Sequence, residues 1–279
     1  MVKVDRTSII DQLKDRRERG EPILGGGAGN GASAKAQEDG GIDLLVIYNS
    51  GRFRMAGRGS LAGLMPYGNA NEIVLEMAPE VVTAATRTPV LGGVCGTDPF
   101  LQHKRLFSRL LAAGLVGVQN FPTVGLIDGS FRANLEETGM GFDKEVELIR
   151  RAHEFGFVTT PYVFSEVDAS AMAEAGADIV VCHFGLTTGG TIGAETARTL
   201  EDCAVLAERW SAAARAVNPD VITLVHGGPV ATPADAARMA TVKGVDGFYG
   251  ASSMERLPLE GAIASNVRGF RAAFTSAVV

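Results

Sequence analysis

Eight short apolar runs recur along the chain, and most of them end at a glycine, a histidine or a small polar residue. They occupy residues 23–25, 44–47, 90–92, 115–118, 157–160, 179–182, 221–225 and 245–249. Between most runs lies a segment of helix length whose apolar residues are spaced three and four positions apart. Parallel strands are buried on both faces, so their sequences are continuously apolar. Eight such units predict an α/β fold, a single (β/α)8 TIM barrel, with its functional residues at the carboxyl ends of the strands.

The chain has 279 residues, close to the ~250 typical of such a barrel, so residues 1–279 are predicted to form one domain. Within residues 1–20, Ile9, Ile10 and Leu13 lie on one side of a charged helix. We expect this N-terminal helix to cap the bottom of the barrel or to form a subunit contact. Because barrel enzymes often assemble through helices and long loops, a homo-oligomer is the expected state.

The composition of the chain argues against nucleic acid and membranes as binding partners. The net charge of −6 and the lack of a basic stripe argue against nucleic-acid binding. No run of ~18 apolar residues is present, so no membrane association is expected. The three cysteines lack metal-type spacing and no signal peptide precedes them, which predicts a reducing, cytoplasmic location.

Three connections, those after strands two, four and six, are about twice as long as the others. They emerge on alternate strands, and we expect them to form a roof over one mouth of the barrel. The third connection, residues 184–195, is rich in glycine and hydroxyl side chains. Its backbone amides are candidates for holding an anion, and a flexible turn is an equal alternative.

A small anionic substrate or ligand is predicted at the mouth. The loops after strands seven and eight commonly hold phosphate in TIM barrels through glycine amides and a short helix. The predicted substrate- or phosphate-binding residues are Arg52, from the first long connection, and Gly227, Gly228, Gly250, Ala251 and Ser252. Ordinary turn geometry is the alternative for the glycines.

Two histidines, His183 and His226, end strands six and seven and therefore face the same mouth. Histidine exchanges protons near neutral pH, and a carboxylate, Glu166, follows strand five. These three residues are the predicted catalytic groups for proton transfer. A structural role is the alternative for each.

The metal prediction depends on three carboxylates, Asp98, Asp128 and Glu195, which follow strands three, four and six. Mg²⁺ prefers such oxygen ligands, but the spacing of these residues is not diagnostic, and structural roles remain the alternative. No glycine fingerprint leads to an acidic partner, so no nucleotide or flavin cofactor is expected. None of the six lysines ends a strand, which disfavours Schiff-base chemistry.

Four stretches resemble a known family. They are Gly-Thr-Asp-Pro-Phe at 96–100, Asn-Phe-Pro-Thr-Val-Gly-Leu-Ile-Asp-Gly at 120–129, Leu-Glu-Glu-Thr-Gly-Met-Gly at 135–141 and residues 247–258. They are similar to the phosphoenolpyruvate hydrolase-like family of TIM-barrel signal-transduction proteins. The resemblance implies phosphonopyruvate hydrolase activity and a distant relation to the phosphoenolpyruvate mutase and isocitrate lyase superfamily.

The resemblance also shows two departures from that wider superfamily. Its members have an Asp-x-Asp pair after the third strand, where this chain has the single Asp98. They also have a loop with lysine and cysteine after the fourth strand, where this chain has Asn120-Phe121-Pro122-Thr123.

Two functions from different classes follow. The first is a hydrolase or lyase that cleaves a C–P or C–C bond of a small phospho- or phosphono-2-oxo acid. The alternative is a non-catalytic ligand-binding or signalling barrel, which the two departures favour. A lyase similar to indole-glycerol-phosphate synthase ranks last, because its barrel lysines are absent.

Overall fold

The computed structural model describes residues 5–276. Its nine strands are all parallel and form one sheet in the order β5-β4-β3-β2-β1-β9-β8-β7-β6. The strands are β1 Ile23–Gly27, β2 Leu44–Ile47, β3 Val90–Gly93, β4 Gly117–Gln119, β5 Val158–Thr159, β6 Tyr162–Val163, β7 Ile179–His183, β8 Ile222–His226 and β9 Gly247–Gly250.

The two ends of the sheet, β5 and β6, are consecutive pieces of one extended segment. Thr160 donates its N–H to Val118 on one side, and Val181 donates to the carbonyl of Pro161 on the other. The segment therefore joins both edges and the sheet closes. The predicted TIM barrel is confirmed, with a break in its fifth strand where Pro161 has no N–H to offer.

Helices cover the outside of the sheet. They are α1 Arg6–Glu18, α2 Gly31–Asp39, α3 Asn49–Met55, α4 Ala70–Ala84, α5 His103–Ala112, α6 Gly129–Glu137, α7 Phe142–Phe155, α8 Glu166–Glu174, α9 Leu200–Val217, α10 Pro233–Met239 and α11 Arg256–Ser276. Two short 3-10 helices, Ser60–Leu64 and Val124–Leu126, lie in the first two long connections.

Alternate strand residues separate into two apolar clusters. One cluster fills the barrel, with Leu44, Val46 and Leu224 among its fully buried members. The other, which includes Leu45 and Ile47, packs between the strands and the helices. The α1 residues Ile9, Ile10 and Leu13 belong to the cluster that fills the barrel. Helix α1 therefore lies across the amino-terminal end of the barrel and leaves the opposite mouth to the long connections.

Helix α11 differs from the others in its exposure. Residues 261–276 are all exposed. Neither α11 nor any other helix within residues 5–276 is both long and apolar enough to span a membrane. Large apolar side chains lie three or four positions apart along α11: Leu259, Ile263, Val267, Phe270 and Phe274. We call these five residues the α11 stripe.

Candidate active site

A cavity of about 300 Å³ opens at the carboxyl ends of the strands, and we call it the mouth cavity. All three long connections contribute to it, as do the ends of β6, β7, β8 and β9. Aromatic and imidazole side chains form its inner wall: Tyr48, Phe121, Tyr162, His183 and His226. Apolar side chains from the connections form its rim: Leu61, Leu126, Leu186 and Ile192.

The two histidines are brought together by strand register. His183 of β7 and His226 of β8 are paired residues, and their ring centroids lie 4.6 Å apart. The N–H of Gly185 donates to His183 Nδ1 at 3.0 Å, and His226 Nδ1 lies 2.7 Å from the carbonyl oxygen of Tyr249. Neither Nε2 atom has a hydrogen-bond partner among residues 5–276.

Burial decides the charge of this pair. Burial, opposed by the hydrogen bond to Tyr249 and assisted by the nearby Arg54, lowers the pKa of His226 to about 4. Burial also lowers the pKa of His183 well below its usual value, with His226 as a second cause. Both imidazoles are therefore neutral at pH 7.

A directed chain of hydrogen bonds lies beneath the histidines. Gln119 Nε2 donates to the carbonyl of Thr160 at 2.6 Å, so its Oε1 accepts from the hydroxyl of Tyr48. Since that proton is used, the Tyr48 oxygen accepts from Tyr162, whose hydroxyl lies 2.8 Å away. Burial raises the pKa of Tyr48 and Tyr162 above the ordinary value, so both stay neutral. The hydroxyl protons of both tyrosines are therefore donated to acceptors within the protein.

A buried ion pair borders the cavity on another side. Arg54 of α3 donates from Nε to Glu255 Oε1 at 2.6 Å, and its Nη2 lies 2.5 Å from the same oxygen. Glu255 Oε2 accepts from the N–H of Gly29 and the hydroxyl of Ser33, both at 2.8 Å. The Arg54 and Glu255 side chains are 1% and 0% exposed. The pair thus connects the first, second and last units of the barrel.

The same arginine presents donors to the cavity. Arg54 Nη1 lies 3.4 Å from Ser60 Oγ, which in turn lies 3.4 Å from Ser252 Oγ. All three residues line the mouth cavity. A guanidinium with two hydroxyls is suited to bind a carboxylate. We call these three residues the donor wall.

The third long connection is anchored by α11. Arg256 donates from Nη2 to the carbonyl of Gly189 at 3.1 Å and from Nη1 to Glu260 at 3.0 Å. Glu260 also accepts from the N–H and hydroxyl of Thr191. These contacts hold residues 185–194 over the mouth cavity, where six of them contribute to the lining.

A buried carboxyl fixes the loop after β4. Glu145 of α7 accepts from Asn120 Nδ2 at 2.5 Å, from the Thr123 hydroxyl at 2.7 Å and from the N–H of Val124 at 2.7 Å. Burial raises the pKa of Glu145 to about 8 although all three partners favour its ionised form. The loop so held places Phe121 5.3 Å from Tyr48, between the ring centroids. This contact set gives the Asn-Phe-Pro-Thr motif a structural role.

Of the predicted catalytic residues, His183 and His226 meet in the cavity and Glu166 does not. Ser165 caps α8, so Glu166 begins a helix that leads away from the mouth. Its carboxylate is exposed and bound to Arg209 at 2.7 Å.

Of the predicted anion-binding residues, Ala251 and Ser252 line the cavity, whereas Gly227, Gly228 and Gly250 do not. The amide of Gly228 donates to the carbonyl of Gly185 at 2.9 Å and is not available to a ligand. Arg52 is exposed and pairs with Glu76 at 2.8 Å. Arg54, two positions along the same helix, lines the cavity instead. Nothing in the sequence distinguishes the two arginines.

The predicted metal ligands are not brought together. Asp98 accepts from the N–H of Phe100 at 2.9 Å and from Asn71 at 3.3 Å, outside the mouth cavity. Asp128 and Glu195 are exposed on separate connections. Within residues 5–276 no group of three His, Cys, Asp or Glu side chains is placed to hold a metal ion.

Comparisons with known proteins agree with the architecture. The sequence model described as phosphoenolpyruvate hydrolase-like matches residues 8–273. The ToMV susceptible protein tm-1(GCR26) of Solanum lycopersicum is 56% identical over 95% of this chain, which spans only 35% of the tomato protein.

Two solved structures share the fold at low identity. Phosphoenolpyruvate phosphomutase from Streptomyces platensis subsp. rosaceus superposes with a TM-score of 0.60 at 16% identity, covering 96% of this chain and 88% of that one. A phosphonopyruvate hydrolase in complex with oxalate and Mg²⁺ gives a TM-score of 0.58 at 17% identity, covering 95% and 87%.

Proposed function

The chain belongs to the phosphoenolpyruvate hydrolase-like family, and from that premise we propose that it is an enzyme acting in the mouth cavity. The proposed reaction is lytic or hydrolytic cleavage of a C–C bond in a small 2-hydroxy- or 2-oxo-carboxylic acid. The observation that carries the proposal is the pair of buried, neutral histidines whose Nε2 atoms have no protein partner among residues 5–276. Ring nitrogens that line a cavity without a protein partner are available to a ligand, and groups able to exchange protons in a cavity are typical of catalytic sites.

The donor wall supports binding of the carboxylate. Arg54 is held rigidly by Glu255, so its remaining N–H groups are oriented before a ligand arrives. A cation fixed in a buried site binds an oxyanion without reorganisation, which favours charge that develops during bond cleavage. Ser60 and Ser252 add hydroxyl donors beside it.

The rim favours a carbon substituent over a phosphono group. Leu61, Leu126, Leu186 and Ile192 surround the entrance, and each contributes apolar surface. Of the residues predicted to hold a phosphate, the glycines Gly227, Gly228 and Gly250 lie outside the lining. Closure of these side chains over a bound acid would exclude water from the reacting bond.

The phosphonopyruvate hydrolase with the shared fold was solved with Mg²⁺, which raises the question whether this chain's residues suit that ion. Mg²⁺ needs carboxylate oxygens that are free to coordinate. Glu255, the carboxylate bound to Arg54 of the donor wall, already accepts from Arg54, Gly29 and Ser33. Asp98, the single aspartate in the segment after β3, accepts hydrogen bonds from Phe100 and Asn71 outside the mouth cavity. The donor set at the mouth does not fit Mg²⁺, and the proposed roles are assigned to protein groups alone.

The test combines binding with turnover. Thermal shift is measured with oxaloacetate, alkyl-substituted malates and phosphonopyruvate, each with Mg²⁺ and with EDTA, and products are then followed by NMR. We expect stabilisation and cleavage for at least one carbon acid. His226→Asn should lower its turnover at least ~10²-fold while the melting temperature of the free protein changes little. Cleavage of phosphonopyruvate alone would overturn the C–C assignment.

A second candidate is a ligand-binding barrel without turnover. It is favoured by the absence of a free carboxylate from the lining of the mouth cavity in the described part of the chain. The tomato relative is named for ToMV susceptibility rather than for a reaction. Stabilisation by an acid with no product over prolonged incubation would favour this candidate and contradict the enzyme.

A further inference from the structure

The two histidines of the mouth cavity differ in how their Nδ1 atoms are bonded, and the difference assigns each a role. We propose that they hold opposite neutral tautomers, with a lone pair on His226 Nε2 and a proton on His183 Nε2. His226 is then the proton acceptor and His183 the hydrogen-bond donor toward the ligand. The catalytic part of this inference rests on the proposed function, whereas the tautomers do not.

The His226 tautomer follows from its partner. A carbonyl oxygen can only accept, and the carbonyl of Tyr249 lies 2.7 Å from His226 Nδ1. Nδ1 therefore carries a hydrogen. A neutral imidazole has one N–H, so Nε2 presents a lone pair to the cavity.

The same reasoning gives the opposite tautomer for His183. A backbone N–H can only donate, and the N–H of Gly185 points at His183 Nδ1 from 3.0 Å. Nδ1 is therefore the acceptor, and the single hydrogen of the neutral ring lies on Nε2. Strand register fixes the two rings side by side, so one donor and one acceptor face the same space.

The surroundings keep both rings neutral and leave these two atoms as a complementary pair. His183 and His226 are 5% and 6% exposed, and Tyr162 packs on them at centroid distances of 4.6 and 5.0 Å. Two imidazolium ions at this separation would repel strongly in a buried site. The Tyr162 hydroxyl donates to Tyr48 and so cannot replace the N–H of His183.

The pair supports a balanced cleavage of the C2–C3 bond in a 2-hydroxy acid whose C4 is a carbonyl or carboxylate carbon. His226 Nε2 takes the hydroxyl proton, and the O–H electron pair becomes the new C=O bond. The C–C bond breaks, and its electron pair passes into the enolate of the leaving fragment, whose oxygen accepts from His183 Nε2–H. The imidazolium then returns the proton to the enolate carbon, and both rings regain their starting state. No oxidant or reductant is needed.

The tautomers can be observed without any substrate. The chain has four histidines, so a long-range ¹H–¹⁵N correlation spectrum of uniformly labelled protein at pH 7 contains few side-chain signals. Single substitutions His103→Gln and His153→Gln, outside the cavity, help to assign them. We expect His226 to be protonated on Nδ1 and His183 on Nε2. A shared tautomer, or an imidazolium at either position, would overturn the inference whatever the outcome of the turnover assays.

The catalytic roles are tested by glutamine, whose amide nitrogen can replace an N–H donor at the Nε2 position but cannot replace a base. Once a turned-over acid is known, His183→Gln should retain more activity than His183→Asn, which loses ~10²-fold for want of the donor. His226→Gln should be as inactive as His226→Asn, at least ~10²-fold below wild type. Rescue by glutamine at 226 but not at 183 would reverse the assignment. Absence of turnover with every acid would refute the enzyme and leave the spectrum as the test of the tautomers.

Discussion

Removing the carboxylate of Glu255 should destabilise the barrel more than removing one member of an exposed ion pair would. Glu255→Ala leaves the Arg54 guanidinium, 1% exposed, without its counter-charge. Loss of one member of a buried pair typically costs about 3–5 kcal/mol of unfolding free energy. The N–H of Gly29 and the hydroxyl of Ser33 also lose their acceptor, so the total should be at least about 4 kcal/mol.

The control lies on the same helix. Arg52 of α3 pairs with Glu76 of α4, and these side chains are 41% and 61% exposed. Because an exposed pair contributes little, Glu76→Ala should cost less than about 1 kcal/mol. Urea-induced unfolding followed by far-UV circular dichroism measures both variants.

A double variant separates the missing charge from a general packing defect. Arg54→Met with Glu255→Leu removes both charges and fills similar volume, so it should be more stable than Glu255→Ala alone. The coupling energy from a cycle with the single variants Arg54→Met and Glu255→Leu should be about 2–3 kcal/mol. A Glu255→Ala cost below about 1 kcal/mol, or strictly additive effects, would refute the buried ion pair as a stabilising link.

Three further outcomes follow from other parts of the chain. Because the pKa of Glu145 is raised, the native protein keeps a proton on this carboxyl that the unfolded chain loses above pH 4.5. The free energy of unfolding of wild type therefore falls as the pH rises from 4.5 towards 8. The difference in unfolding free energy between wild type and Glu145→Gln should therefore shift in favour of wild type by roughly 4 kcal/mol from pH 8 to pH 5, and a difference independent of pH would contradict it. We propose that the α11 stripe joins copies of the chain: light scattering should show an oligomer for wild type and a monomer for Ile263→Glu/Phe270→Glu, and a monomeric wild type or an unchanged variant would contradict this. Gly227→Ala, at φ 77° with a Cβ 2.2 Å from the carbonyl of Gly185, should lower the melting temperature and weaken ligand stabilisation, and wild-type values for both would show that the loop adapts.

The barrel was predictable because each strand is buried on both faces and is therefore marked by an apolar run. Leu44 to Ile47, for example, are all fully buried. The break in the fifth strand was also encoded, since Pro161 cannot donate to its neighbour, but the run 157–160 stops just before it. The two histidines were predictable for the same reason, because strand ends meet at one mouth.

The rest of the site depends on contacts between distant units, which one sequence does not reveal. Arg54 differs from Arg52 only in its direction from α3, and its partner Glu255 lies 201 positions away. The metal prediction relied on carboxylates near strand ends, yet Asp98 turns back to bond the N–H of Phe100. Glu166 was selected by position, and the cap at Ser165 sends it outward instead.

Charge balance in the mouth cavity gives an independent reason to prefer a simple carboxylic acid. Arg54 is neutralised by Glu255 and Arg256 by Glu260, while burial keeps both histidines uncharged. A bound carboxylate raises the pKa of His226 from its low value, which makes the neutral ring a stronger proton acceptor. A phosphono-2-oxo acid whose phosphono group is fully ionised brings one more negative charge into this buried space than oxaloacetate or a malate, and that extra charge has no counter-charge among these groups. The neutral cavity thus favours the acid with the fewer charges, and His226 remains unprotonated until it takes the hydroxyl proton, as its role as the base requires.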